Sequence, residues 1–415
     1  MTDFKRIALK ITSILFLTQS LASAGFIAAA AINPILGEKL AEDRSQATIP
    51  TAAYLLSGAL SASAWGLIMD RIGRRNSIAM GLVIGVLGNA LVLYAIQASS
   101  FLLVIAGLMM MGITNSAVQL GRFAAAEVNL PEQRGRAISA VVLGGVIGTI
   151  LARLLAAPVG EYAVSIGMDE LAGAYITTLA LFAIASVLVF VGLRPDPRDV
   201  GRELARQQHP ESLSQRGEIR PILQILRQPA AITAVTAMVL GQVVMVAIMV
   251  ITSLHMEDHH HARSDIISVI SAHTFGMFAP SIVSGWLLDR IGRGRMIVGG
   301  AFILLLACIA APLSPDVLPL GIALFLLGLG WNFCFVGGST LLADQLSPLE
   351  RSRTQGTNDL LVGLASAAIS LSSGFIFDAT SYTVMALIAG VLSFVPLVLA
   401  LSYVRKSTAP LAMSR

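Results

Sequence analysis

"GLIMDRIGRR", residues 66–75, and "GWLLDRIGRGR", residues 285–295, are two versions of one phrase set 219 positions apart. A second pair, "EVNLPEQRGRA" at 127–137 and "DQLSPLERSRT" at 344–354, repeats at an offset of 217. It aligns an acidic residue, a proline and two arginines. Two independent matches at nearly one offset indicate a chain built twice, from two similarly oriented halves. Each phrase is short and basic and lies between long apolar runs.

Those runs set the fold class. The 415 residues are 55% hydrophobic and 13% charged, with a mean hydropathy of +0.79, whereas soluble domains are about one quarter charged. Twelve segments are long enough to cross a bilayer as helices: 9–33, 47–69, 76–96, 100–122, 136–158, 171–193, 229–254, 265–288, 295–313, 317–341, 355–377 and 381–403. They are apolar on all sides, which excludes the alternation of barrel strands. The first begins like a cleaved signal peptide, but its apolar stretch continues through "GFIAAAAI" and reads as a retained helix. The expectation is an all-α polytopic membrane protein with 12 transmembrane helices: a six-helix half at 1–194, a central cytoplasmic loop at 195–228 and a second half at 229–415.

With both termini on one side, 24 of the 28 basic residues fall on that side, which makes it cytoplasmic. Lys39, Arg44 and Arg263 fall opposite, and Arg153 lies within a span. The net charge of +4 therefore reflects topology and is no sign of nucleic-acid binding. Cys308 and Cys334 sit apart in apolar spans and form no zinc motif. No nucleotide-binding motif is present, so ATP-driven transport is not expected, and nothing points to an enzyme or to a catalytic cofactor.

The pattern G-x-x-x-D-R-x-G-R, present in both halves, resembles the signature of the major facilitator superfamily. The resemblance covers the whole chain and implies transport by alternating access. It also implies a conformational latch formed by Gly66, Asp70, Arg71, Gly73 and Arg74, with Gly285, Asp289, Arg290, Gly292 and Arg293 as its second copy. Glycines at 66 and 285 let neighbouring helices approach closely. Asp70 and Asp289 can pair with arginines or meet a helix N-terminus.

Five of the six histidines fall between 255 and 273. Met245 and Met249 are one turn apart in the seventh span, and His273 and Met277 one turn apart in the eighth, so each pair shares a helix face. The seventh span runs outward and the eighth inward, which places both pairs in the outer half of the membrane. Three thioethers and one imidazole suit Cu(I) rather than a hard ion. Methionine is an ordinary filler of apolar helices, whereas an intramembrane histidine is a functional candidate by default. Outside the membrane, "HMEDHHH" is a candidate metal-collecting loop through His255, Met256, His259, His260 and His261, or else a solvated polar loop.

M-x-x-x-M followed by H-x-x-x-M on these two spans resembles the CcoA-type (CalT family) copper importers. That resemblance implies copper as transported substrate, imported across the bacterial inner membrane to supply haem–copper oxidase assembly. It also implies a multi-pass monomer with cytoplasmic termini, working in the bilayer with a cytoplasmic copper chaperone as partner. The main alternative is a proton-coupled efflux transporter of drugs or small metabolites. Against it, the fifth span "GGVIGTILARLLAAPVG" lacks a compact G-P-x-x-G-G ending. Arg153, Gln119, Asn115 and Asn332 either line a cavity for such a cargo or bond between helices. A non-transporting membrane sensor is the alternative of another class, and a large soluble appendage would mark it.

Overall fold

The computed structural model describes residues 2–130, 133–208, 220–346 and 348–408. Its helices are α1 (Thr2–Leu40), α2 (Ile49–Ile72), α3 (Arg74–Gln97), α4 (Phe101–Gln119), α5 (Gly121–Glu127), α6 (Arg134–Ser165), α7 (Ala172–Gly192), α8 (Pro197–Gln208) and α9 (Ile222–Leu226). They continue with α10 (Pro229–Asp258), α11 (Arg263–Phe278), α12 (Ser281–Ile291), α13 (Arg293–Ala310), α14 (Val317–Ala343), α15 (Pro348–Ala379) and α16 (Tyr382–Thr408). There is no strand among the described residues. Among the described residues ten helices are long and apolar enough to cross a membrane, eleven if the bent pair Arg44–Ala62 and Ala64–Ile72 counts as one span. At the position expected for the eighth span stand two helices, α11 and α12, each too short to cross alone. This is an all-α, multi-pass membrane protein.

The spans differ from the sequence expectation in two instructive ways. The first, expected at 9–33, is the continuous helix Thr2–Leu40, and it packs along α6 and α7 as an integral part of the bundle. The eighth, expected unbroken at 265–288, ends at Phe278 and restarts at Ser281. Pro280 has no N–H to continue the ladder. Asn332 of α14 satisfies the break: its amide donates to the Met277 carbonyl (2.7 Å) and to Ser281 Oγ (2.9 Å), while the Ser284 hydroxyl donates to Asn332 Oδ1 (2.6 Å).

The helix contacts repeat. In one bundle α1 packs on α6 and α7, α4 on α2 and α3, and α3 on α7; in the other α10 packs on α15 and α16, α14 on α11 and α13, and α13 on α16. The duplicated phrases therefore correspond to duplicated packing. Lipid is the solvent for the remaining surface. On α16, for example, Leu387, Val391, Phe394 and Val398 form an exposed apolar stripe at helical spacing.

The face that carries both chain ends is here called inner. On it, Gly73 joins α2 to α3 at φ +91° and Gly292 joins α12 to α13 at φ +84°, backbone conformations that other residues adopt only with strain. They differ in surroundings. A Cβ at Gly73 would lie 2.4 Å from an Asp196 carboxylate oxygen, whereas Gly292 has nothing within 4 Å. Gly73→Ala is therefore expected to cost more stability than Gly292→Ala. Both carry left-handed strain of about 1–2 kcal/mol, and only the first also displaces Asp196. Thermal unfolding of the two variants in detergent measures the difference; equal losses would show that the Asp196 contact contributes nothing.

Candidate functional site

The latch residues engage their own bundle. Arg74 is bidentate to Glu127 (2.7 and 3.0 Å), donates to Asp70 (2.7 Å) and reaches the Met69 carbonyl. Arg293 pairs with Asp344 at 2.9 Å, and these two acids lie 217 positions apart, as the repeat requires. The helix N-terminus available to Asp70 is taken by Asp196, which accepts from the backbone N–H groups of Arg74 (3.1 Å) and Arg75 (3.0 Å). An anion there is stabilised by the unpaired amides and the helix dipole. Arg71 and Arg290 are exposed, Arg290 lying over the Trp286 ring at 4.3 Å. The side chain of Asp289 lies outside the described residues. Gly66 and Gly285, expected to admit close neighbours, have no atom within 4 Å of an added Cβ. The close approach is absent because the bundles are apart at their inner ends.

At the opposite, outer face the bundles are joined. Arg44, at the start of the segment leading into α2, holds Asp258 at the end of α10 through two hydrogen bonds of 2.5 and 2.6 Å. Arg44 also pairs with Glu38 at 3.0 Å and lies over the Phe377 ring at 5.2 Å. Beside this pair the Thr48 hydroxyl donates to the Leu371 carbonyl (3.4 Å). Within the first bundle Lys39 pairs with Asp169, and within the second Arg263 pairs with Glu257. Burial alone would raise the pKa of Asp169, but the bond from Lys39, the Leu171 amide and the nearby charge of Arg263 hold it below the ordinary carboxylate value. A carboxylate with a depressed pKa contributes its stabilisation above the ordinary value and loses it only as pH falls through the lowered one. This ion pair within the first bundle therefore persists throughout neutral and mildly acidic pH. Contact continues to mid-depth, where a Cβ at Gly145 would meet Phe278 at 2.8 Å and one at Gly363 would meet Ala59 at 2.5 Å. The conformation is closed outside and open inside.

The four soft side chains are arranged around α14. His273 is fully buried; its Nδ1 lies 3.0 Å from the Leu324 carbonyl, and its Nε2 is buried without a partner. A carbonyl can only accept, so Nδ1 carries the proton and Nε2 keeps its lone pair. Glycines let α11 lie close on α14: a Cβ at Gly276 would sit 2.3 Å from the Phe325 carbonyl oxygen, and one at Gly328 2.2 Å from that of His273. On the other flank, the Trp331 indole donates to Gln242 of α10 at 2.6 Å. Three residues outward from Gln242 is Met245, and three outward from Trp331 is Gly328. Met245 thus shares the depth of Met277, and Met249 that of His273. Met245 is buried, while Met249 and Met277 are partly buried against the core. The two pairs do not meet at one point: α10 and α11 have little contact with each other and flank α14 from two sides. The four share a depth, and α14 stands between the pairs.

The outer histidine stretch also differs from a free loop. α10 extends to Asp258, so His255 and Met256 belong to its last turn. Met256 is fully buried, removing it from any collecting surface. His255 stacks on Tyr382 (centroids 4.2 Å apart), and His259 Nδ1 reaches the His255 carbonyl at 2.8 Å. His260 follows in a left-handed turn (φ +60°), and His261 closes that turn by donating its backbone N–H to the Met256 carbonyl. Among the described residues no group of three His, Cys, Asp or Glu side chains could hold a metal ion. Glu257 and Asp258 are engaged by Arg263 and Arg44 instead.

Of the polar span residues, Asn332 bonds between helices and Arg153 is exposed. Asn115 and Gln119 make no hydrogen bond among the described residues and share a face with Arg122, at i, i+4 and i+7. Arg122 sits at the end of an apolar stretch where it reads as a boundary charge, and only the packing shows what it faces.

Comparison with known proteins agrees with this architecture. The family model for the Major Facilitator Superfamily matches residues 15–258 and 234–413. The chain is 34% identical over 379 residues to the uncharacterized MFS-type transporter YdeG of Bacillus subtilis, covering 91% of this chain and 88% of that one. It is 29% identical over 393 residues to the riboflavin transporter RfnT of Brucella anthropi, covering 94% and 95%. Among solved structures, a POT family transporter in complex with 5-aminolevulinic acid superposes with a TM-score of 0.72 at 11% identity, covering 96% of each chain. The nucleoside transporter NupG gives 0.66 at 16% identity, covering 97% of this chain and 99% of that one. Matched by one family model along nearly its whole length and folded as two repeated bundles that meet at one face and part at the other, this chain belongs to the major facilitator superfamily of membrane transporters.

Proposed function

We propose that this transporter imports copper, as Cu(I), across the bacterial inner membrane, with the inner face and both termini in the cytoplasm, and that the metal supplies haem–copper oxidase assembly. The observation that carries the reading is His273. A fully buried imidazole with Nδ1 committed to a carbonyl and Nε2 left without a partner is a ligand oriented by its hydrogen bond, the usual arrangement for a metal-binding histidine. Met249 lies at its depth, and Met245 and Met277 a turn further in. Because α14 separates the two pairs, copper passes between successive sites, each formed from one flank of α14, as the bundles rock. The chain's own residues supply soft donors at each stage, and the outer ion pairs close behind the cargo.

A second reading is a small organic cargo. It is favoured by the stacked Trp331 and Phe335 rings, 4.9 Å apart, by the unpaired amides of Asn115 and Gln119, and by the likeness to a relative named as a riboflavin transporter. Parallel uptake of radioactive copper and of riboflavin, in cells with and without this protein, separates the two. Protein-dependent copper accumulation supports the first reading. Riboflavin accumulation with no change in copper would overturn it.

A further inference from the structure

We propose that Thr354 and Asn358 of α15, with Asp359 beside them, form a binding site for a small monovalent cation, Na⁺. Thr354 is 1% exposed and Asn358 3%, and each carries an oxygen without a hydrogen-bond partner, Thr354 Oγ1 and Asn358 Oδ1. They stand four residues apart, so they share a helix face with Cβ atoms about 5–6 Å apart. The Asn358 amide is committed on its donor side. Its Nδ2 donates to Met238 Sδ of α10 (3.6 Å) and to the Asp359 carboxylate (3.4 Å). Gly338 of α14 makes room for that thioether, since an added Cβ would lie 2.8 Å from Met238 Cγ. The amide is thus held with its oxygen free. Buried polar atoms are nearly always paired, and two orphan oxygens one turn apart point to a shared ligand.

The donor set selects that ligand. Oxygen atoms suit a hard cation, and two neutral oxygens with one carboxylate balance a single positive charge. The Met238 sulfur faces the amide nitrogen and takes no part, so this site differs in chemistry from the soft donors further out. Access comes from the inner side. Gly363 of α15 meets Ala59 of the first bundle, whereas Gly356, seven residues inward on the same face, has no atom within 4 Å of an added Cβ. Asp359 lies between them on that face and is exposed, so it stands where the bundles part. Its carboxylate accepts the bond from Asn358 and makes no ion pair among the described residues. Asp359 is eleven residues into α15, roughly 16 Å from the helix start at 1.5 Å per residue. An uncompensated charge at this depth is unfavourable, and a cation held between Thr354, Asn358 and Asp359 compensates it. This assignment does not depend on the identity of the cargo.

The test is thermal unfolding of the full-length chain in detergent, in NaCl, KCl or choline chloride at constant ionic strength. Na⁺ should raise Tm saturably, by about 2 °C or more once it exceeds Kd about tenfold, because a ligand of the folded state stabilises it. Choline should have no such effect. Thr354→Val, which keeps the side-chain shape, and Asn358→Leu should each abolish the Na⁺ response. Asn358→Leu should also be more stable than wild type in choline, because a buried unpaired oxygen is gone. Asn358→Asp, which returns an oxygen to the site, should retain the response. A Na⁺ response that persists unchanged in Thr354→Val and Asn358→Leu overturns the proposal. So does a wild-type shift that choline reproduces, which is an effect of bulk salt, and so does a wild type with no cation response, which leaves water as the ligand. If the two buried variants do not fold, as judged by size-exclusion profile, Asp359→Asn replaces them, since its side chain is exposed. The Na⁺ midpoint should then rise about tenfold or more, the usual loss when a metal site loses a supporting group, and an unchanged midpoint refutes the site.

Discussion

His273→Ala is expected to lower copper uptake at every copper concentration, by at least the roughly ten- to hundredfold lost when only the supporting partner of a metal ligand is removed. The physical cause is specific. The substitution removes the lone-pair donor at Nε2, while the Leu324 carbonyl, inside α14, keeps its place in the helical ladder. Folding should therefore survive better than transport. His273→Gln sharpens the point, because its amide can still donate to Leu324 but offers no imidazole nitrogen. It should recover any lost stability and none of the lost uptake. Met249→Ala combined with His273→Ala removes both donors at one depth and should abolish protein-dependent uptake. Wild-type copper accumulation by that double variant, with normal amounts of folded protein in the membrane, would remove these residues from the pathway.

Gly328→Val is expected to cause the largest loss of folded protein. An added Cβ at 328 would lie 2.2 Å from the His273 carbonyl oxygen and 2.8 Å from the Met277 nitrogen. Both are backbone atoms of α11 and cannot swing aside. The helices must separate by about 1 Å to restore ordinary contact, which also draws His273 away from Leu324. Overpacking of this kind costs about 1–3 kcal/mol and sometimes more, and the β-branched side chain adds to it. The comparison is Gly321→Val on the same helix, where nothing lies within 4 Å. Fluorescence-detected size-exclusion profiles after heating should show Gly328→Val strongly destabilised and Gly321→Val close to wild type. Equal behaviour would mean that α11 and α14 do not depend on that close approach.

The amino-acid sequence by itself determined the solvent, the element type and the duplication. Apolar segments of bilayer length admit helices and little else, because every backbone polar group must be satisfied inside the span. The paired phrases at 66–75 and 285–295 mark the same corner twice, and Arg74–Glu127 and Arg293–Asp344 show that the repeat extends to single ion pairs. Met245, Met249, His273 and Met277 were legible as a set because helical periodicity places each pair on one face and the run of each helix gives its depth. Periodicity says nothing about which helix stands between two others. Only the tertiary structure put α14 between the two pairs and buried Met256 in the last turn of α10. It also moved the α3 N-terminus from Asp70 to Asp196, a residue more than a hundred positions away in the chain. Arg44 and Asp258 found each other for the same reason. Their meaning is a pairing across two bundles, and a charge acquires a partner through packing, which local sequence does not encode.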